Sequence, residues 1–355
     1  NYTATTDIYT LPAYTEKEVK DIYHKLDVKR DKTEIDPALH EKISGLVKEV
    51  YDQPDAYQSA NYAEQMTKTN FKLWKKFFGE SKIKLPNFIS LGMEDVVVNL
   101  LIKYHLYEDT VLTHMLFDPS YDPFMYKYFE GIHGSFSREN HTGTYLFWAL
   151  PKGSRYNVQL WRKGNYLVSK DESYKIELKP ELIQKAMESR ELIPSLLLDF
   201  ATISFYYGVK CLGGFDQVNY LTQMKDNYIK MNVDLSNYRS IEVCARAQTR
   251  EICVGLGFTF MEYGNHEVAL ASGPDLFLYG KEELWPRLME TITSLTLEDA
   301  IAPLMPEMYK ISFDEIEWDP EVVSVTEKDI NELLGLHDKI NPCIYIFDPK
   351  MPKLK

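Results

Sequence analysis

The stretch from Gly131 to Thr144, Gly-Ile-His-Gly-Ser-Phe-Ser-Arg-Glu-Asn-His-Thr-Gly-Thr, gathers the side chains best suited to chemistry. An imidazole titrates near neutral pH, so His133 and His141 are candidates to give or take a proton, and Glu139 can orient an imidazole. Arg138 can anchor a carboxylate or phosphate, while Ser135 and Ser137 can hydrogen-bond a substrate. Glycines at 131, 134 and 143 let backbone amides approach a ligand closely. Aromatic residues lie on both sides: Tyr121, Phe124, Tyr126, Tyr128 and Phe129 lead in, and Tyr145, Phe147 and Trp148 lead out. An aromatic-walled cleft with Tyr126 and Trp148 among its walls suits a small organic ligand. The same rings equally suit a packed core, and the loop's polar groups equally suit caps on neighbouring elements.

Other constellations are weaker. His133, His141 and Glu139, with Asp118 or Asp122, offer zinc or iron ligands, but no H-E-x-x-H spacing fixes their geometry, and no metal is expected. Cys211, in Lys210-Cys-Leu-Gly-Gly-Phe215, falls at an expected strand-to-helix turn where a helix N-terminus can activate a thiol. Cysteine's preference for burial favours a core role instead. Arg246, Gln248 and Arg250 alternate as on one face of a strand, where they can bind an anion or meet carboxylates. His266 reads as a hairpin residue beside Gly264-Asn265. Gly255-x-Gly257 lacks the third glycine and following helix of a dinucleotide site, which excludes a Rossmann fingerprint. No cofactor motif is strong enough to name one.

The chain of 355 residues is 45% hydrophobic and carries a formal charge of −13. That charge argues against nucleic acid or an anionic membrane surface as partner. The cluster Lys72, Lys75 and Lys76 alternates with Phe71, Trp74 and Phe77, as on an amphipathic helix face. Cys211, Cys244, Cys253 and Cys343 show no C-x-x-C spacing and read as reduced thiols of a cytoplasmic protein. The first residues show no signal-peptide pattern. The apolar tract from Leu192 to Phe215 is interrupted by Pro194, Asp199 and Lys210, which predicts a buried helix rather than a membrane span.

Local signals predict the elements that must hold the loop. Thr15-Glu-Lys-Glu18 and Thr326-Glu-Lys-Asp329 are helix-capping patterns, and Asp36-Pro37 starts a further helix. An extended run at 85–91 precedes a helix over 94–107. Strands are expected at 144–150, 156–161, 165–169 and 174–178, helices through Ser189 and over 192–207, and strands at 240–247, 251–261, 267–271 and 276–279. A helix is expected over 281–295. Leu91-Gly-Met-Glu-Asp95 and Leu212-Gly-Gly-Phe-Asp216 echo one another as chance, local grammar or duplication.

The fold class is therefore α+β, with largely antiparallel sheets packed by helices and a helical N-terminal segment. Its parts are a helical segment 1–80, a lobe 81–239 bearing the loop, and a C-terminal lobe 240–355. The functional expectation is a cytosolic enzyme of small-molecule metabolism, such as a transferase, using His133 and His141 for proton or acyl-group transfer on a small, anionic substrate. The alternative is a non-catalytic ligand-binding or assembly module.

Overall fold

A computed structural model describes residues 8–78, 87–251, 259–263, 268–280, 284–313, 315–340, 342 and 344–346. The chain forms two compact units, residues 1–253 and 254–355. Both combine helices with sheet, and the fold is α+β.

The first unit begins with helices whose starts are written locally. In α1 (Glu16–Asp31) the Thr15 hydroxyl accepts from the Glu18 N–H, and the Glu18 carboxylate accepts from the Thr15 N–H at 2.7 Å. Asp36 caps α2 (Pro37–Leu46) through the Leu39 N–H, and Pro37 fills a position that needs no N–H donor. The lysines of α3 (Tyr62–Phe78) are taken up within this segment: Lys72 pairs with Asp55, Lys76 with Glu49, and Lys75 lies over the Phe71 ring.

Helices α4 (Met93–Tyr104), α5 (Val111–Phe117) and α6 (Asp122–Phe129) bury Val97, Leu101, Leu112, Met115, Met125 and Phe129 in the main core. The loop folds as a minimal antiparallel hairpin, β1 (Phe136–Ser137) against β2 (Thr142–Gly143). The strands β3 (Phe147–Ala149), β4 (Val158–Lys163), β5 (Tyr166–Ser169), β6 (Lys175–Glu177) and β7 (Leu192–Pro194) make a five-stranded sheet. Its order is β6-β5-β4-β3-β7, and every pair is antiparallel. Between β6 and β7, α7 (Pro180–Glu188) buries Ile183 and Met187 on its apolar face.

The apolar tract departs from the single helix expected over 192–207. Leu192 to Pro194 pair with Phe147 to Ala149 as a strand, Ser195 caps α8 (Leu196–Phe200), and Ala201–Tyr206 widens into a π-turn. A fully buried run carries no periodicity, so strand and helix look alike until partners are known. Gly208, at φ +72°, ends the turn. The expected strand at 240–247 is instead α10 (Arg239–Arg246), which packs on α9 (Phe215–Asp234) within the first unit. Its buried Cys244 meets the α9 backbone, while Arg246 pairs with Glu242 one turn back. Arg246, Gln248 and Arg250 therefore do not share a strand face. Residues 87–92 form no strand, and the two echoed segments each enter a helix after a glycine cap, Gly92 and Gly214.

In the second unit β8 (Phe260–Tyr263) pairs antiparallel with β9 (Val268–Leu270) and parallel with β10 (Ile344–Ile346). The expected strand at 276–279 belongs to α11 (Gly273–Tyr279), whose start Ser272-Gly-Pro-Asp275 is a reciprocal capping box. Ser272→Ala removes an acceptor for an otherwise unpaired helical N–H, and a loss of about 1 kcal/mol is expected by urea denaturation. The helix α12 (Leu284–Ser294) follows, and Thr326 and Asp329 cap Glu327–Leu333 as their spacing predicts. Cys253, Gly255, Gly257, His266 and Cys343 lie outside the described residues. Among the described residues, no helix is long and apolar enough to cross a membrane.

Candidate functional site

The hairpin at 131–144 is shaped by backbone geometry. Gly131, Gly134, His141 and Gly143 all have positive φ, at +79°, +76°, +54° and +65°. The Gly131 N–H donates to the Phe136 carbonyl at 2.8 Å, closing the first turn. Gly143 crosses so near its partner strand that a Cβ would lie 1.8 Å from the Ser135 carbonyl oxygen. Only glycine fits there.

Phe136 is buried and anchors the hairpin, with its ring 5.6 Å from both Tyr126 and Tyr145 and edge-on to Trp161. Trp161 on β4 is thus the tryptophan that packs against the loop. Trp148, in β3, pairs with Gln159 and Ile193. Ser135 and Ser137 are buried too: Ser137 Oγ accepts from the Asn140 N–H at 3.1 Å, while Ser135 Oγ has no hydrogen-bond partner among the described residues. The aromatic flanks are mostly core. Tyr145, Phe147 and Phe129 are fully buried, and burial raises the Tyr126 and Tyr145 hydroxyls above their usual range.

The tip, Arg138-Glu139-Asn140-His141, stands in solvent. The Arg138 guanidinium lies 3.4 Å from the Tyr126 ring centroid, and its Nε is 3.6 Å from Glu130. Glu130 also accepts from the Arg138 backbone N–H, so both ends of the arginine are fixed while 54% of the side chain stays exposed. His141 Nε2 is 3.4 Å from Lys170 Nζ, and Gln159 donates to the His141 carbonyl at 2.7 Å.

His133 faces a different element. Its Nε2 lies 3.1 Å from Asp216 Oδ2 in the first turn of α9, and its ring is 5.7 Å from that of Tyr220. The imidazole remains 65% exposed. The two histidines are therefore separated in role, and neither pairs with Glu139, which is exposed. Asp216 and Lys170 were not among the expected site residues. Asp216 carried only a helix-start signal, and Lys170 carried none.

The remaining candidates do not join the hairpin. Cys211 is half-buried before the start of α9, and burial pushes its thiol up, the reverse of nucleophile activation. Asp118 caps the turn at Ser120, and Asp122 is bound by Arg162 and Tyr145. Among the described residues no three His, Cys, Asp or Glu side chains are grouped to hold a metal ion. A further buried histidine, His105, is held between Thr110 and Tyr207, each at 3.0 Å. Burial pushes its pKa down to about 4, so it stays neutral at physiological pH. Compared with known protein families, curated proteins and solved structures, the chain matches none of them.

Proposed function

We propose that this chain is a recognition protein of the cytosol that holds a small anionic ligand on the 131–144 hairpin, rather than an enzyme with two cooperating histidines. One observation carries this reading: the Arg138 guanidinium lies 3.4 Å from the Tyr126 ring centroid with its Nε 3.6 Å from Glu130, while 54% of the side chain stays exposed. A cation fixed in this way loses little rotamer freedom on binding a carboxylate or phosphate. His141, exposed in the same tip, has its Nε2 3.4 Å from Lys170 Nζ, which adds a second cation there. The free thiols of Cys211 and Cys244 are compatible with a reducing compartment.

The His133–Asp216 contact favours a second reading, a group-transfer enzyme in which Asp216 orients His133 as general base. One experiment separates the two. Citrate and inorganic phosphate are titrated into the protein at low salt, followed by calorimetry and amide shifts. Arg138→Gln is expected to weaken citrate binding about tenfold or more, since charge-assisted bonds contribute about 1.5–3 kcal/mol. His133→Gln should leave it unchanged. Undiminished binding in Arg138→Gln would sink the recognition reading, and a chemical change in a bound ligand that is lost in His133→Gln would establish the enzyme.

A further inference from the structure

A second feature lies away from the hairpin. A groove of about 710 Å³ runs along α4 and is lined by residues of α3, the stretch 90–92, α4 and Arg190, with no residue of 131–144. On α4 its floor consists of Asp95, Val96, Asn99, Leu100, Lys103 and Tyr104, one continuous helical stripe. The stretch of α4 from Asp95 to Tyr104 makes this floor about 15 Å long, matching about four to five extended residues.

The polar groups along the groove are asymmetric. At one end Arg190 pairs with Asp95 at 2.9 Å, and Glu64 pairs with Lys68 at 2.8 Å, so the charges there are balanced. At the other end Lys103 lies 5.0 Å from the Tyr104 ring centroid and pairs with no carboxylate among the described residues. Two lining carboxamides, Asn61 just before α3 and Asn99 on α4, have unspent capacity. Asn61 Oδ1 accepts from the Glu64 N–H, which leaves its Nδ2 as donor. Asn99 Nδ2 donates to the Asp95 carbonyl, which leaves its Oδ1 as acceptor. A donor and an acceptor among the lining side chains can meet the C=O and N–H groups of an extended peptide, and Val96, Leu100 and the 72%-exposed Leu91 offer apolar contact to its side chains.

We infer that this groove binds a short extended peptide segment of a partner protein whose acidic residue meets Lys103. The charge complementarity is one-sided. A peptide with a basic residue at that position would place like charges together.

The test uses the full chain and two pools of acetylated pentapeptide amides, randomised at the first four positions and ending in Glu or in Lys. The Glu pool is expected to shift the backbone amides of Val96, Asn99 and Lys103, and the Lys pool to leave them in place. Lys103→Glu, a change at an exposed position, should weaken the Glu-pool response at least tenfold, and Asn99→Ala should also reduce it. The inference is overturned if neither pool shifts these amides, if both shift them equally, if Lys103→Glu binds the Glu pool undiminished, or if decanoate moves the same amides as strongly. In that last case the occupant would be an aliphatic carboxylate rather than a peptide.

Discussion

Arg162→Met is expected to lower the stability of the first unit by about 3–5 kcal/mol, the cost of stranding one partner of a buried ion pair. The Arg162 side chain is fully buried; its Nε–H donates to the Gly164 carbonyl at 3.0 Å, and the same nitrogen pairs with Asp122 Oδ2 at 3.1 Å. Its Nη1 and Nη2 donate to the carbonyls of Leu116 and Phe117, the end of α5, at 3.2 and 3.1 Å. One side chain thus ties β4 to the ends of α5 and α6. Methionine preserves the apolar stem but leaves those carbonyls and the Asp122 carboxylate without the cation, and the Tyr145 hydroxyl, 2.6 Å from Asp122, is then its main remaining donor.

The pH dependence of that loss has a definite sign. Burial already holds the Asp122 carboxyl above its usual range, so in the window between the unfolded and folded pKa values the folded state keeps a proton that the unfolded chain has released. Stability from this group falls as pH rises through that window. Removing Arg162 lifts the folded pKa further, so the Arg162→Met loss should be larger at pH 7 than at pH 5 in urea denaturation. Adding Asp122→Asn should recover part of it. A loss below about 1 kcal/mol at pH 7 would mean that water replaces the guanidinium, and the buried pair would then have no structural weight.

Gly143→Ala is the second large effect expected, about 2–6 kcal/mol. It combines a left-handed backbone worth about 1–3 kcal/mol with overpacking worth about 1–3 kcal/mol. At φ +65° the new Cβ would meet the Ser135 carbonyl oxygen at 1.8 Å and the Phe136 Cα at 2.7 Å, so β1 and β2 must separate. Both contacts are backbone, which has no rotamer to yield. Gly131→Ala is the control: φ is +79°, yet nothing lies within 4 Å of its Cβ, and only the conformational cost of about 1–2 kcal/mol applies. Thermal unfolding of the two variants should rank them in that order. Equal losses would show that hairpin closeness is unimportant. Gly143→Ala should also abolish citrate binding, because Arg138 and His141 flank the tip that β1 and β2 hold.

The hairpin's prominence was legible in the order of residues, but its arrangement was not. The clustering of Arg138, His133 and His141 among glycines marked a surface feature. The role of the flanking aromatics was ambiguous between cleft and core, and the burial of Tyr145, Phe147 and Phe129 places them in the core. Asp216 and Lys170 reach the histidines only through the packing of α9 and the β5–β6 turn, contacts that linear spacing does not record.

The amino-acid sequence by itself determined the features whose partners lie within a few residues. Thr15 with Glu18, Asp36 with Leu39 and Thr326 with Asp329 close their caps inside one helical turn, so their hydrogen bonds are specified before any tertiary contact forms. The strands β4, β5 and β6 are likewise joined by short turns. Tertiary structure decided the segments whose apolar pattern fits two conformations. Residues 192–194 became a strand because β3 offers them an edge, and 239–246 became a helix because Cys244 is buried against α9. Burial on a distant element outweighs a local preference of a few tenths of a kcal/mol per residue, and such partners are set by the folded chain.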